Sequence, residues 1–343
     1  MISSEEKVEF LKELVELYSP SGKEDNVAKF IVESFESFGV EAYVDEVGNA
    51  IAVKEGKGPR VLLAGHMDTV PGYIPVRIED GILWGRGSVD AKGPLATFFF
   101  ATVESDANLI FAGLVDEERF SKGARNLDVP KPDFIVIGEP SGVNGVTIGY
   151  KGSLTAKFTS VVEKVHGSLG IDAAEELINT WLEIKSRFGE GFSELSGRIV
   201  ELHAYERDFD FYGEMIINLR TPPGYEPPRG WEIIDFVPAY EVDRRSPLVR
   251  AFVRAIRKNE LRPRLKKKSG TADMNILGPR FGVDAIAYGP GDSKLDHTPN
   301  EHIRLGEYLM AIEVLETAIE ELRGGKKGTV PSKVGEVKAL SRG

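Results

Sequence analysis

Leu62–Pro71 reads LLAGHMDTVP. An apolar run closes on a glycine, and His66 and Asp68 follow, two residues apart. A run too short for a helix and without polar alternation is what a strand covered on both faces looks like. The chain repeats it: Val61–Ala64 is followed by Leu109–Val115, Phe134–Ile137 and Ala285–Tyr288. Helical patterns lie between some of these runs, notably over Gly93–Val103. Buried strands interspersed with helices predict an α/β fold built on a mostly parallel sheet.

Every run ends in ionisable residues. The first delivers His66 and Asp68, and the second Asp116, Glu117 and Glu118. The third delivers Glu139, and the fourth leads to Asp296 and His297. GRGSVDAKG (85–93) adds Asp90 just ahead of the helix that begins near Pro94. In open parallel sheets, ligands bind beyond the carboxyl ends of the strands. These side chains are therefore expected on one edge. Carboxylates crowded together raise one another's pKa. A divalent cation removes that penalty, and two remove it more completely and suit hydrolysis of an amide. Taken singly, His-x-Asp reads as a turn, DEE as a solvated face and DHTPNEH as a helix cap. GRGSVDAKG lacks the spacing of a phosphate loop. Four buried-strand signals that all end in Glu, Asp or His are what points to a metal site.

Bulk properties narrow the classes. A chain of 343 residues suits two domains, and 41% hydrophobic residues supply a sizeable core. A net charge of −11 argues against a nucleic-acid binder. Without cysteine there is no disulfide or thiolate site, so a transition metal would rest on His, Asp and Glu. No apolar run reaches the length of a membrane span. MISSEEKVEFLKEL reads as a capped amphipathic helix and not as a secretory signal. The expectation is a soluble cytoplasmic protein without membrane contact. The absence of glutamine beside abundant Lys and Glu fits a thermophile source.

Helices are expected over 4–17 and 23–38, and a strand pair over 41–54. From Gly152 the pattern changes to half-exposed alternation. SLTAKFTSVV, RIVELHAYERD and GEMIINLRT read as antiparallel strands around a helix at Asp172–Arg187. The α/β pattern returns with the helix SPLVRAFVRAIRKNEL and closes with a long helix, Glu301–Leu322. This divides the chain into a catalytic domain (1–150 and 246–325), an inserted α+β lid or dimerisation domain (151–245) and a C-terminal extension (326–343).

GHMDTVP, GRGSVDAKG, VDEE, GEPS and DHTPNE, in this order, resemble the co-catalytic zinc metallopeptidase superfamily. That superfamily includes glutamate carboxypeptidase, acetylornithine deacetylase and succinyl-diaminopimelate desuccinylase. The resemblance spans almost the whole chain. It implies two divalent ions, zinc first, with cobalt or manganese compatible with the same donors. His66 and Glu139 would hold one ion, Glu118 and His297 the other, and Asp90 would bridge. Asp68 would orient the His66 ring. Glu117 would be the general base, passing a proton from water to the leaving amine. In the lid, KVHGSLG places His166 where relatives carry an oxyanion-stabilising histidine, in dimers often the partner's. A surface-loop histidine is the alternative. Arg220, ending INLR, would grip a substrate carboxylate or be an ordinary strand arginine. His203 and His302 read as structural or solvated.

KKKSGTADMNIL (266–277) with YGPGDSKLDHTPNEHI (288–303) resembles a narrower subgroup. Its members release lysine or ornithine from the acidic amino-group carrier protein LysW, whose terminal glutamate side chain holds the amino acid as an amide. A small-molecule deacylase or a peptidase would share the chemistry. The resemblance places Gly270 and Thr271 beside the substrate, with Asp273 a candidate for its ammonium group. Residues 250–268 hold nine Lys or Arg and one Glu on an otherwise acidic chain. An acidic carrier would dock on such a patch, with Lys266, Lys267 and Lys268 the first candidates. A solvated basic helix face is the plain alternative.

Overall fold

A computed structural model describes residues 2–164, 170 and 172–324. Helices α1 (Ser4–Glu16) and α2 (Asp25–Ser37) precede strands β1 (Ala42–Val44), β2 (Ala50–Lys54) and β3 (Lys57–His66). Short strands β4 (Arg77–Glu79) and β5 (Ile82–Trp84) lead to helix α3 (Lys92–Glu104) and strand β6 (Ala107–Leu114). Then come α4 (Lys122–Asn126), β7 (Phe134–Gly138) and β8 (Gly145–Tyr150). The middle of the chain forms β9 (Gly152–Glu163), α5 (Ala173–Lys185), β10 (Ser196–Arg207), β11 (Asp210–Thr221) and β12 (Glu232–Val237). The last part forms β13 (Tyr240–Glu241), α6 (Pro247–Lys258), β14 (Arg264–Lys268) and α7 (Met274–Phe281). It ends with β15 (Asp284–Tyr288), β16 (His302–Arg304) and α8 (Leu305–Gly324).

The apolar runs become the centre of a nine-stranded sheet, ordered β1-β2-β6-β3-β7-β15-β8-β13 with β14 beside β8. Its four central strands, β6, β3, β7 and β15, are parallel. The register aligns Ala64 with Ala112 and Ile137, and Ile137 with Ala287. The carboxyl ends of all four therefore finish level, on one edge. Helices cover both faces, and each face has its own apolar core. Helix α3 is buried from Lys92 through Thr102, as a helix without a polar face must be. Phe98, Phe99 and Phe100 each stabilise the core by about 1.5–3 kcal/mol through burial. The mixed α/β class with its mostly parallel sheet is thus observed.

The alternating strands form a separate antiparallel sheet, β10-β11-β9-β12. Pairing sets Leu219 opposite Leu154, Ile217 opposite Ala156 and Met215 opposite Phe158. With Leu177 and Ile184 of α5 these make a third core. The chain enters this sheet after Tyr150 and returns at β13, where Tyr240 pairs with Tyr150.

The structure departs from the sequence reading at three strands and at the start of the last helix. Gly145–Tyr150, Glu232–Val237 and Arg264–Lys268 are strands, each too short or too mixed to show a clear period. The final helix starts at Leu305, because His302–Arg304 pairs with β5 instead. Among the described residues, no helix is long and apolar enough to cross a membrane.

Candidate metal centre

Strand β3 ends by burying His66. Its Nε2 lies 3.3 Å from Asp90 Oδ1 and 4.0 Å from Glu139 Oε1. Its Nδ1 lies 2.9 Å from the Asp68 carbonyl and 3.5 Å from the Asp68 carboxylate. An Nδ1 proton donated to that carbonyl leaves Nε2 free for a cation. The nearer of these two contacts is the Asp68 backbone carbonyl, with the carboxylate behind it. Asp90 turns its other oxygen, Oδ2, to His297 Nε2 at 3.1 Å. His297 Nε2 also meets Glu118 Oε1 at 3.0 Å. One aspartate thus faces two imidazoles with its two oxygens, the arrangement of a bridging carboxylate.

Two donor groups follow: His66, Asp90 and Glu139, and then Asp90, Glu118 and His297, with donor atoms in each within 4.8 Å of one another. A third combination joins His66 with Glu117 and Glu118. The backbone bends sharply where donors leave their strands. Asp116 (φ 64°) and His297 (φ 61°) adopt the left-handed conformation, which costs a non-glycine residue about 1–2 kcal/mol. In GRGSVDAKG, a Cβ on Gly93 would lie 2.5 Å from the Ser88 carbonyl oxygen. That glycine lets the Asp90 loop fold back on its helix.

The electrostatics are those of anions in need of cations. Burial pushes Glu139 up to about 7, with the negative Asp90 adding to it. Burial also raises Glu117 well above the usual carboxylate range, reinforced by Glu139, Asp273 and Glu118. Hydrogen bonds donated to Asp90 and Glu118 push His297 up to about 10. Burial disfavours a charged His66, but hydrogen bonds to Asp68 and Asp90 outweigh it and raise its pKa. Nearby, outside the donor set, the buried oxygens Asp273 Oδ1 and Asp296 Oδ1 lack hydrogen-bond partners among the described residues. A donor set of imidazoles and carboxylates, crowded to within 4.8 Å in each group, fits divalent cations.

The donors sit on loops, and charged side chains hold those loops by their backbones. The fully buried Asp68 accepts from the Glu117 N–H at 3.0 Å and the Glu118 N–H at 3.1 Å. It also accepts from the Ser21 hydroxyl at 2.7 Å. Lys268 donates to the Pro140 carbonyl at 2.7 Å, and Lys266 to that of Ser141 at 2.6 Å, just beyond Glu139. Two of the three docking candidates, Lys266 and Lys268, are thus engaged with backbone carbonyls. On a strand, alternate side chains share a face. Lys266 and Lys268 turn in, while Lys267 pairs with Glu241 at 2.5 Å.

A cleft of about 820 Å³ opens over the cluster, lined by the edge of the main sheet and by the second sheet. Arg220, Gly270, Thr271, Lys267 and Lys268 line it with Glu117, Glu118, Glu139, Asp90 and His297. Arg220 donates to Thr271 Oγ1 at 2.8 Å, and Thr271 donates to the Lys151 carbonyl at 3.0 Å. Gly270 has open space where a Cβ would be. Arg119, Arg125 and Arg198 also line the cleft. Sequence reading missed them because they come from two separate segments, the β6–α4 stretch and strand β10. His166 lies outside the described residues. His203 is exposed at a strand surface and His302 stacks on Trp84, 4.3 Å between ring centres.

The family model for peptidase family M20/M25/M40 matches residues 62–321. A Thermococcus kodakarensis protein provisionally named LysW-lysine/LysW-ornithine hydrolase is 82% identical over 327 residues, covering 95% of each chain. The LysW-lysine hydrolase of Deinococcus radiodurans is 39% identical, over 92% of this chain and 97% of its own. Among solved structures, a Staphylococcus aureus tripeptidase superposes with a TM-score of 0.76 at 19% identity, covering 94% of this chain and 99% of that one.

Proposed function

The chain belongs to peptidase family M20/M25/M40, a family of metal-dependent amide hydrolases, and from that premise we propose that it releases lysine, and ornithine, from the carrier protein LysW. The amide cleaved joins the amino acid to the side chain of the carrier's terminal glutamate. The single observation that carries the reading is the cluster itself. Asp90 stands between two histidines, at 3.3 and 3.1 Å, under a cleft rimmed by arginine and lysine. The names of the relatives supply the choice of carrier-linked substrate.

His66, Asp90 and Glu139 would hold one ion, and Asp90, Glu118 and His297 the other; zinc suits these donors. When bound, the ions supply Lewis acidity at the scissile carbonyl. The chain's residues do the rest. Glu117, which lines the cleft and has no hydrogen-bond partner for its carboxyl among the described residues, takes a proton from the attacking water. The C–N bond breaks, and Glu117 returns that proton to the leaving amine. Arg220, positioned by Thr271, pairs with a substrate carboxylate. Lys267 and the arginine rim draw the acidic carrier toward the cleft, and Gly270 leaves room for its end. The enzyme works as a homodimer. Exposed apolar side chains on the second sheet and α5, including Val161, Tyr205, Ile178 and Leu182, support that reading.

The test is an assay of zinc-loaded protein on lysine-charged LysW, ornithine-charged LysW and acetylornithine. Preference for the charged carriers is expected. A higher kcat/KM for acetylornithine would refute the carrier assignment and leave the hydrolytic chemistry standing.

A further inference from the structure

Glu301 lies between His297 and helix α8, and it is completely buried. Because His302–Arg304 pairs with β5, Glu301 meets the loop that precedes α3. Its Oε1 accepts from the Val89 N–H at 3.0 Å and the Asp90 N–H at 3.1 Å. Its Oε2 pairs with Arg86 Nη1 at 2.7 Å, both side chains being almost without solvent contact. Arg86 Nε continues to the Gly72 carbonyl at 3.0 Å. A buried ion pair contributes little net stability once desolvation is counted. What this one supplies is fixed geometry.

That geometry links two ligand-bearing segments. Asp90 is held at its amide by Glu301, and four residues before Glu301 stands His297. The side chains of Asp90 and His297 meet at 3.1 Å. The two are thus tied once through the cluster and once through Glu301. His66 and Glu139 come from β3 and the end of β7, and they do not depend on this tie. We propose that Glu301, braced by Arg86, is a positioning residue that builds the second metal position, formed by Asp90, Glu118 and His297. The proposal rests on the two-ion reading above. Without Glu301 the first ion keeps His66 and Glu139, whereas the Asp90–His297 separation is no longer set.

The test is titration of the metal-free wild type, Glu301→Gln and Glu301→Ala with cobalt(II), followed by calorimetry and by visible absorption. The wild type should bind two ions. If it binds one, the two-ion reading fails and this proposal with it. In Glu301→Gln the amide keeps one acceptor for the loop but turns an N–H donor on Arg86. The second ion should bind about 10-fold more weakly, and the first, which keeps His66 and Glu139, should weaken less than the second; in Glu301→Ala the second should weaken about 100-fold. Should the alanine variant not fold, the isosteric glutamine variant decides, with metal-free melting used to establish its fold. Two ions bound at wild-type affinity by Glu301→Gln, or equal weakening of both, would overturn the tether while leaving the two-ion reading intact.

Discussion

Asp68→Asn separates the charge of this side chain from its shape. The native carboxylate accepts three hydrogen bonds: Oδ1 from the Glu117 N–H, and Oδ2 from the Glu118 N–H and the Ser21 hydroxyl. Asparagine offers one oxygen and one NH₂ group. Whichever way the amide turns, its NH₂ faces a backbone N–H of the Glu117–Glu118 turn. The Ser21 hydroxyl can rotate to accept, but the backbone N–H cannot. One charge-assisted hydrogen bond is lost and one buried donor is left unpaired, at a cost of about 1.5–3 kcal/mol. The turn relieves this by shifting Glu117, the proton carrier, and Glu118, a proposed ligand. At 1.36 kcal/mol per tenfold in rate, kcat should fall about 10–100-fold. Asp68 does not line the cleft, so KM should barely change. Steady-state kinetics on lysine-charged LysW under saturating zinc reads both constants. A wild-type kcat, or a raised KM at unchanged kcat, would refute the argument that Asp68 acts by holding the turn.

Glu117→Gln should remove turnover, a loss of at least about 100-fold for a proton shuttle, while metal analysis still finds close to the native content. Chelation should lower the melting temperature, and returning zinc at about 100 times its Kd should restore about 2.7 kcal/mol; unchanged melting after verified metal loss would contradict a structural coupling between ions and fold. Far from the site, burial and the neighbouring Glu104 raise the pKa of Glu316 on α8 above its ordinary 4.5. The folded state then holds a proton that the unfolded chain releases, so stability falls as pH rises through that window. Glu316→Gln should melt higher than wild type at pH 7, and the gain should vanish below about pH 4; a gain that persists in acid would sink the assignment.

Much of this was legible before the structure. The unalternating runs became central parallel strands because a strand buried on both faces has no polar side to show. The level register of β3, β6, β7 and β15 then brings His66, Glu118 and Glu139 to one edge, as strand-end motifs predict. What stayed hidden was direction. Glu301 stands before an apolar helix, and nothing local separates a cap from a buried acceptor for a loop 211 residues earlier. For the basic run 250–268 the sequence left a docking patch and a solvated helix face both open. Only pairing with β8 makes its end, Arg264–Lys268, a strand and sends alternate lysines inward. The cationic rim is invisible for a related reason: Arg119, Arg198 and Lys267 become neighbours only when the second sheet lies beside the first.

A common reason explains where the charged residues around the cluster point. Metal ligands on loop ends must be held, yet a ligand oxygen busy with a hydrogen bond is a poorer donor to a cation. The chain holds the backbone next to the ligand instead. Asp68 grips the amides of Glu117 and Glu118, Glu301 grips those of Val89 and Asp90, and Lys266 and Lys268 grip the carbonyls after Glu139. Charge makes each grip about twice as strong as a neutral hydrogen bond. It also sets the sign: anions meet N–H groups and cations meet carbonyls. Motifs such as GRGSVDAKG and DHTPNE therefore contain more ionisable residues than the cluster has places for ions. The surplus has a physical use. In such a site, a buried charge that faces peptide groups and not the cluster is better read as a support than as a further ligand.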